Sequence, residues 1–432
     1  MVQPILFVGD MHLGRTPHRL AAAGLDPTKL GPAEAWRRVV RFAVDHGVQA
    51  VVLAGDVVDQ EKDRFEAFAH LQRGVTTLLD AGIGVMGVAG NHDAIALPKL
   101  AKRIEDFVLL GVGGRWQRVE LDGVDLIGWS FPARHHRDDP ILAPDLPAVL
   151  QSLRPDTLSL GVLHTDLDGG QSPYAPTTRR GLNQLSLGGW FLGHVHQPSA
   201  LSEQQTTGYL GSLVGLDRGE PGPRGPWLVT PVTASEMRVK QVPLGPVLWR
   251  DVIIDVSGLL LTGTAADARD DALHTALHSA LTQAARDDAW FQAGDFDAVG
   301  CSVRFEGRNA ATAAIRRFVA QQRAHELRFQ VAGVPWVVVA MREAVAPVHD
   351  LNALAQEASP VGQVAALLLA LRANGAAAIP EDVGRNGFDA TRWLVDSSDA
   401  PLADPVAATR TAAITLLERL LAQRGRDAAG GL

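Results

Sequence analysis

Short apolar runs, each closed by a glycine and a polar cluster, alternate with amphipathic segments through the first 200 residues of this chain. Ile5-Leu6-Phe7-Val8, Ala50-Val51-Val52-Leu53, Ile83-Gly84-Val85-Met86, Leu158 to Leu163 and Trp190-Phe191-Leu192 have the continuous apolar character of strands buried on both faces. Pro32 to Asp45 instead sets Trp36, Val39, Val40 and Ala43 on one face and Arg37, Arg38 and Arg41 on another, with a proline suited to the first turn. That spacing predicts an amphipathic helix. After residue 196 the pattern changes to short strands and turns, ending in the glycine- and proline-rich Gly219 to Pro226. Pro243 to Pro246 reads as a linker. Beyond it Val252-Ile253-Ile254, a helix over 264–287, a strand over 298–305, a helix over 309–322 and a strand over 335–341 spell βαβαβ. From about residue 350 the chain is rich in Ala and Leu and reads as helices. The last has Asp404 as N-cap, Pro405 at its first position and an apolar stripe of Ile414, Leu417, Leu420 and Leu421, ending before Gly425.

The polar clusters carry the chemistry. Gly9-Asp10-Met11-His12, Gly55-Asp56-Val57-Val58-Asp59, Gly90-Asn91-His92-Asp93, Leu163-His164 and Gly193-His194-Val195-His196 each follow one of the buried runs, so five loops at strand ends can converge on one point. Carboxylate, imidazole and amide oxygen without thiolate suit Mn²⁺, Fe, Zn²⁺ or Co²⁺ better than Ca²⁺. A carboxylate shared by two metals roughly 4 Å apart leaves open positions for an attacking hydroxide and for phosphate oxygens. Phosphoester hydrolysis is the reaction this donor set predicts. Asp59 and Asp93 have a plainer alternative as helix caps.

The order and wording of these segments resemble the calcineurin-like metallophosphoesterases, and Gly9-Asp10-Met11-His12-Leu13-Gly14-Arg15 resembles their DNA-repair nuclease branch, the SbcD type. The resemblance covers about the first 245 residues well. It implies a layered α/β fold, a β-sandwich flanked by helices, with a smaller α/β cap domain and a helical C-terminal region. On that template Asp10, His12, Asp56 and His196 hold one metal and Asp56, Asn91, His164 and His194 the other, with Asp56 as the bridge. His92 is the catalytic histidine and Asp93 its orienting partner. The resemblance further implies two divalent ions, Mn²⁺ first among them, DNA as substrate, an SMC-like coiled-coil ATPase docked on the C-terminal helices, and homodimerisation. Glu220 and Gly222-Pro223-Arg224-Gly225 resemble the acidic residue and glycine-rich turn that close the family's catalytic domain, whereas Leu216-Asp217 departs from the Arg-His usual just before them.

Domains are therefore expected at 1–245 (catalytic), 250–345 (cap) and 350–432 (helical). The 432 residues and 46% hydrophobic content agree with two or three sizeable cores. Cys301 is the only cysteine, which excludes disulfides within the chain, and its setting reads as core. The first strand begins at once and the longest apolar stretch, Val361 to Leu371, is too short for a bilayer, so a cytoplasmic, membrane-free address is expected. The net charge of -8 weighs against a DNA substrate, because Lys and Arg contacts dominate nucleic-acid affinity. Basic loops at Arg15 with Arg19, at Arg134-His135-His136-Arg137 and at Arg179-Arg180 are the candidates for phosphate contact. Two alternatives to a DNA nuclease follow: a phosphatase or phosphodiesterase on nucleotides and other small phosphoesters, and a metal-stabilised scaffold for an ATPase. Purple acid phosphatases are excluded, since their metal-binding tyrosine should stand where Asp59 does.

Overall fold

The computed structural model describes residues 2–60, 64–261, 266–322, 326–379 and 405–429. Two sheets face each other in the first part of the chain. The six-stranded sheet has the order β11-β10-β1-β2-β3-β4, with β1 Ile5–Val8, β2 Ala50–Ala54, β3 Gly84–Val88, β4 Phe107–Leu109, β10 Trp227–Pro231 and β11 Met237–Gln241. The five-stranded sheet runs β5-β6-β7-β8-β9, with β5 Trp116–Leu121, β6 Val124–Trp129, β7 Leu158–His164, β8 Gly189–Gly193 and β9 Thr207–Tyr209.

Alternation of side chains along each strand builds three layers of core. Ile5, Phe7, Val52 and Met86 meet Leu126, Leu160, Val162 and Phe191 between the sheets, and the Phe7 and Phe191 rings stack with centroids 4.1 Å apart. The opposite faces are covered by helices: Leu6, Val8, Val51 and Leu53 pack on Trp36 and Val39 of helix Pro32–His46, while Ile127, Leu163 and Leu192 pack on Leu146 and Leu182. This is the layered β-sandwich flanked by helices that was expected.

The parallel pairing of β1, β2, β3 and β4, and separately of β6, β7, β8 and β9, is what positions the site. Every ligand-bearing loop leaves the carboxyl end of β1, β2, β3, β7 or β8, so parallel pairing sends all five to one edge of the sandwich.

A third sheet follows, ordered β12-β13-β15-β14, with β12 Val247–Asp255, β13 Ala298–Arg308, β14 Arg328–Val331 and β15 Val334–Ala346. Helices Ala266–Asp287 and Thr312–Gln321 occupy the predicted places, and Cys301 is fully buried with Sγ on the Val337 carbonyl. Trp249 Nε1 donates to the Gly215 carbonyl, and Arg38 bonds Asp297 and the Asp295 carbonyl. Met1–Gly307 with Ala313–Val345 accordingly form one compact unit.

The second unit, Arg308–Thr312 with Ala346–Leu432, is helical. Helices Leu351–Ala355 and Pro360–Asn374 pack on Pro405–Ala429 around Val361, Leu368, Ala413 and Leu417, with Ile414, Leu420 and Leu421 partly buried against them. The last helix does not stop before Gly425 but continues to Ala429. A single glycine costs only about 1 kcal/mol in a helix interior, less than the tertiary packing contributes. The expectation that the Val361 region is too short for a bilayer also needs correction. Helix and 3₁₀ turn together make Pro360–Ala378 a 19-residue stretch of mean hydropathy 1.3, long and apolar enough by composition alone to cross one. The Asp404 N-cap lies outside the described residues.

Candidate metal centre

Tight backbone creates the convergence. Asp10, His12, Asp56 and His194 all have positive φ, at 26°, 48°, 48° and 108°, a conformation non-glycine residues adopt at a cost of order 1–3 kcal/mol and one that clusters at functional sites. The first two loops are tied together, His12 N–H donating to the Asp56 carbonyl and Leu13 N–H to that of Val57, each at 2.8 Å. A Cβ on Gly90 would lie 2.2 Å from Asp56 Oδ1, and one on Gly193 would lie 2.0 Å from the Ala54 carbonyl oxygen. These glycines exist so that two loops can touch.

The donor atoms fall into overlapping groups. Asp10, His12 and His196 form one triad, His12, Asp56 and His92 a second, and Asp10, Asp56 and His164 a third, with ligand atoms within 4.8 Å of one another in each. Asp56 lies between them: its Oδ2 is 3.8 Å from His12 Nε2 and 3.5 Å from His164 Nε2. Asn91 Oδ1 is 3.0 Å from His164 Nε2, and the His194 ring stands edge-on to His164 with centroids 5.3 Å apart. All seven expected ligands thus gather in one cluster, and His92 is the exposed member of the set.

Two observations show that cations fit here. His12 Nδ1 lies 3.0 Å from Asp59 Oδ1 and His196 Nδ1 lies 2.5 Å from Glu220 Oε1, carboxylate oxygens that favour the proton on Nδ1 of each ring. The two Nε2 atoms face each other at 3.0 Å, a contact that calls for a metal ion or a proton between them; burial pushes His196 down, but Glu220 and Asp10 outweigh it and raise it. Asp10 Oδ2 is likewise buried without a partner. Electrostatics agree: burial holds His12 and His194 below the ordinary histidine value and His164 down to about 4, keeping these imidazoles neutral as metal ligands must be. Burial pushes Asp10 well up, with Asp56 adding to it. On Asp56 burial also pushes upward, but His164, His12 and His92 together outweigh it and hold the bridge position ionised.

Asp93 does not orient His92. Its carboxylate is fully buried and accepts from the backbone N–H groups of Gly90, Val57 and Val58, at 2.8, 2.7 and 3.2 Å. It latches the second and third loops together. His92 Nδ1 instead bonds the Asp59 main-chain carbonyl at 2.8 Å, with Asp59 Oδ1 3.8 Å away, while Asp56 Oδ1 accepts the His92 backbone N–H. The turn after Asn91 points successive side chains in opposite directions, which adjacency in the chain conceals. Asp59 therefore reaches His12 and His92 together.

Residues without a motif complete the site. Glu220 holds His196, buried Arg224 donates from Nη1 to the His196 carbonyl at 2.6 Å, and the Tyr174 ring lies 5.1 Å from that of His194. Only the acidic and glycine-rich pattern at 220–225 could have signalled any of them. Of the basic loops, Arg179 is committed structurally, Nη1 to the Thr207 carbonyl and N–H to Asp168, whereas Arg15, Arg19 and Arg134 line the open space around His92.

Residues 3–198 match the family described as Calcineurin-like phosphoesterase. This stretch is therefore similar to calcineurin-like phosphoesterase domains. The family uses divalent metal ions, in keeping with the donor set. The chain is 26% identical over 246 residues to the uncharacterized metallophosphoesterase YhaO of Bacillus subtilis, covering 51% of this chain and 54% of the relative. It is 25% identical over 202 residues to the DNA double-strand break repair protein Mre11 of Sulfolobus acidocaldarius, covering 44% and 49%. The chain thus spans about half the length of the curated relatives it matches. Similar solved structures include a dimetal phosphatase from Danio rerio (14% identity, TM-score 0.37, 56% of this chain and 96% of that one) and a purple acid phosphatase from yellow lupin seeds (12%, 0.38, 56% and 52%).

Proposed function

We propose that this chain is a calcineurin-like phosphoesterase, a two-metal phosphodiesterase that cuts DNA. Asp10, His12, Asp56 and His196 would hold one divalent ion and Asp56, Asn91, His164 and His194 the other, with Mn²⁺ the first candidate. Bound there, the ions would supply a nucleophile at neutral pH and positive charge against the phosphoryl oxygens. The protein's own part is carried by His92. Its Nδ1 proton is fixed on the Asp59 carbonyl, so Nε2 is free and faces the opening, 4.0 Å from Asp56 Oδ2, where it can bond or protonate a departing oxygen.

The observation that carries the diester reading is that space opens on both sides of His92. One cavity of about 680 Å³ runs past Arg15, His18 and Arg19, and another of about 510 Å³ past Ala94, Ile95 and Arg134; both include Asp59, Gln60 and His92. A phosphorus beside His92 can therefore carry a chain in two directions, which a terminal monoester does not need. Similarity to the DNA double-strand break repair protein Mre11 of Sulfolobus acidocaldarius supports DNA as that chain. The net charge of -8 favours the second reading, a small phosphoester as substrate.

The C-terminal unit is proposed to dock an SMC-like coiled-coil ATPase. Because Leu417 and its neighbours are used in self-packing, docking would fall on the outer surface, where Leu416 is half exposed. A homodimer and a cytoplasmic address belong to the same proposal. One experiment tests the core: hydrolysis of linear DNA, a generic phosphodiester and a phosphomonoester by the Mn²⁺-loaded chain and after chelation. Cleavage of both diesters, abolished by chelation, is expected; activity on the monoester alone would overturn the reading.

A further inference from the structure

The two ligand sets are held in different ways. His164 Nδ1 is fixed by the Ala54 carbonyl at 3.0 Å, inside the sandwich itself. His196 is held from outside it. Glu220 Oε1 takes its Nδ1 proton at 2.5 Å, Ser212 N–H donates to its carbonyl at 2.9 Å, and Arg224 Nη1 donates to the same carbonyl at 2.6 Å. The other Glu220 oxygen accepts from Leu216 N–H at 2.9 Å and Ser212 Oγ at 3.4 Å, so this carboxylate also braces the loop that carries it.

That loop is clamped in turn by the third sheet. Trp249 on β12, 1% exposed, donates from Nε1 to the Gly215 carbonyl at 2.8 Å and accepts from Gly222 N–H at 3.3 Å, gripping the loop on either side of Glu220. The ring leaves no slack: a Cβ on Gly215 would lie 2.7 Å from Trp249 Cδ1, and one on Gly300, its neighbour across β13, 2.2 Å from Cζ3. A chain of direct contacts therefore runs from the third sheet through Trp249, the 212–224 loop and Glu220 to His196 Nε2.

We infer that Trp249 and Glu220 are positioning residues through which the third sheet sets the aim of His196, so that the ion at Asp10, His12 and His196 depends on that sheet while the ion at Asn91, His164 and His194 does not. The inference rests on the two-metal reading above. Removing a group that orients a metal-bound histidine lowers metal affinity about 10- to 100-fold. Here that loss should fall on one ion of two.

The test is Mn²⁺ titration of the metal-free full chain, bound ions being counted from the electron paramagnetic resonance of the free ion, with thermal melting of the metal-free protein as the check on folding. Wild type should bind two ions. Glu220→Ala should weaken one of them about 10- to 100-fold and leave the other unchanged, and Glu220→Gln, whose amide oxygen still accepts the Nδ1 proton, should recover part of the loss. Trp249→Phe, which removes the indole N–H while keeping an aromatic ring, should weaken the same ion several-fold at a melting temperature close to wild type. Unchanged binding of both ions, or equal weakening of both, in folded Glu220→Gln and Trp249→Phe would overturn the inference. Fewer than two ions on wild type would overturn the two-metal reading itself, and the inference with it, before any variant is made.

Discussion

His92 and Asp93 are neighbours in the chain whose side chains take different partners: His92 Nδ1 bonds the Asp59 carbonyl at 2.8 Å, while Asp93 accepts three backbone N–H groups from Gly90, Val57 and Val58. Their substitutions should separate accordingly. His92→Ala is expected to keep both metals and the wild-type melting temperature yet lose turnover by roughly 10² to 10⁴, the range for a positioned acid or base. Asp93→Ala strands three buried donors, each costing about 1–3 kcal/mol, so melting temperature, metal content and activity should fall together. Metal analysis and thermal melting of the two purified variants decide between these patterns.

Asp56, the proposed bridge, lies within 4 Å of both His12 Nε2 and His164 Nε2. Asp56→Asn halves its ligand capacity and removes its charge, and should lose metal and activity together. Chelation of wild type should reproduce the loss and added divalent ion reverse it. Retention of two ions by Asp56→Asn, counted by elemental analysis, would contradict the bridging role.

Arg19, paired with exposed Asp217 at 3.2 Å, and Arg134 stand on opposite sides of His92, whereas Arg179 is spent on the Thr207 carbonyl. If DNA occupies both cavities, Arg19→Ala and Arg134→Ala should each weaken DNA cleavage and flatten its salt dependence by about one unit of log-log slope. Hydrolysis of a small phosphodiester should hardly change. Arg179→Ala should act on stability instead. Equal effects of Arg134→Ala on both substrates would remove it from DNA contact.

Away from the metals, the buried Asp125 carboxylate bonds Arg154 through its N–H at 2.7 Å and its Nε at 2.8 Å, and Arg118 Nη2 at 3.1 Å. Burial pushes its pKa up, but these partners outweigh it and hold it below the usual 3.8. Its stabilisation is thus complete above the unfolded value and is lost as pH falls through the lower folded one. Asp125→Asn should cost about 2 kcal/mol at pH 7, and less in urea denaturation near pH 3 as the wild type loses its advantage. A constant difference across that range would show that the charge is not the source.

Much of this centre is decided locally. Gly55-Asp56, Gly90-Asn91-His92 and Gly193-His194-Val195-His196 each join an apolar strand to a polar turn, and both the strand's burial and the turn's need for glycine are properties of a few adjacent residues. Since β1, β2 and β3 pair in parallel, as do β7 and β8, knowing which residues end those strands is enough to know which donors meet. The amphipathic helix Pro32–His46 is legible for the same reason, its 3.6-residue period being written in the side chains themselves.

What the tertiary structure alone decided is how those donors are aimed. That Asp59 rather than Asp93 serves His92 depends on the direction of side chains leaving the turn, and that Glu220 serves His196 depends on a loop reached only after β9. Strands β5 and β6 also escaped the sequence pattern, because exposed Gln117 and Glu120 with half-buried Arg118 interrupt the apolar run of the first, and buried Asp125 that of the second. Residue type and order along the chain carry the chemistry of the ligands. Partner choice among them is a matter of distance and angle between segments far apart in sequence, which no local pattern encodes.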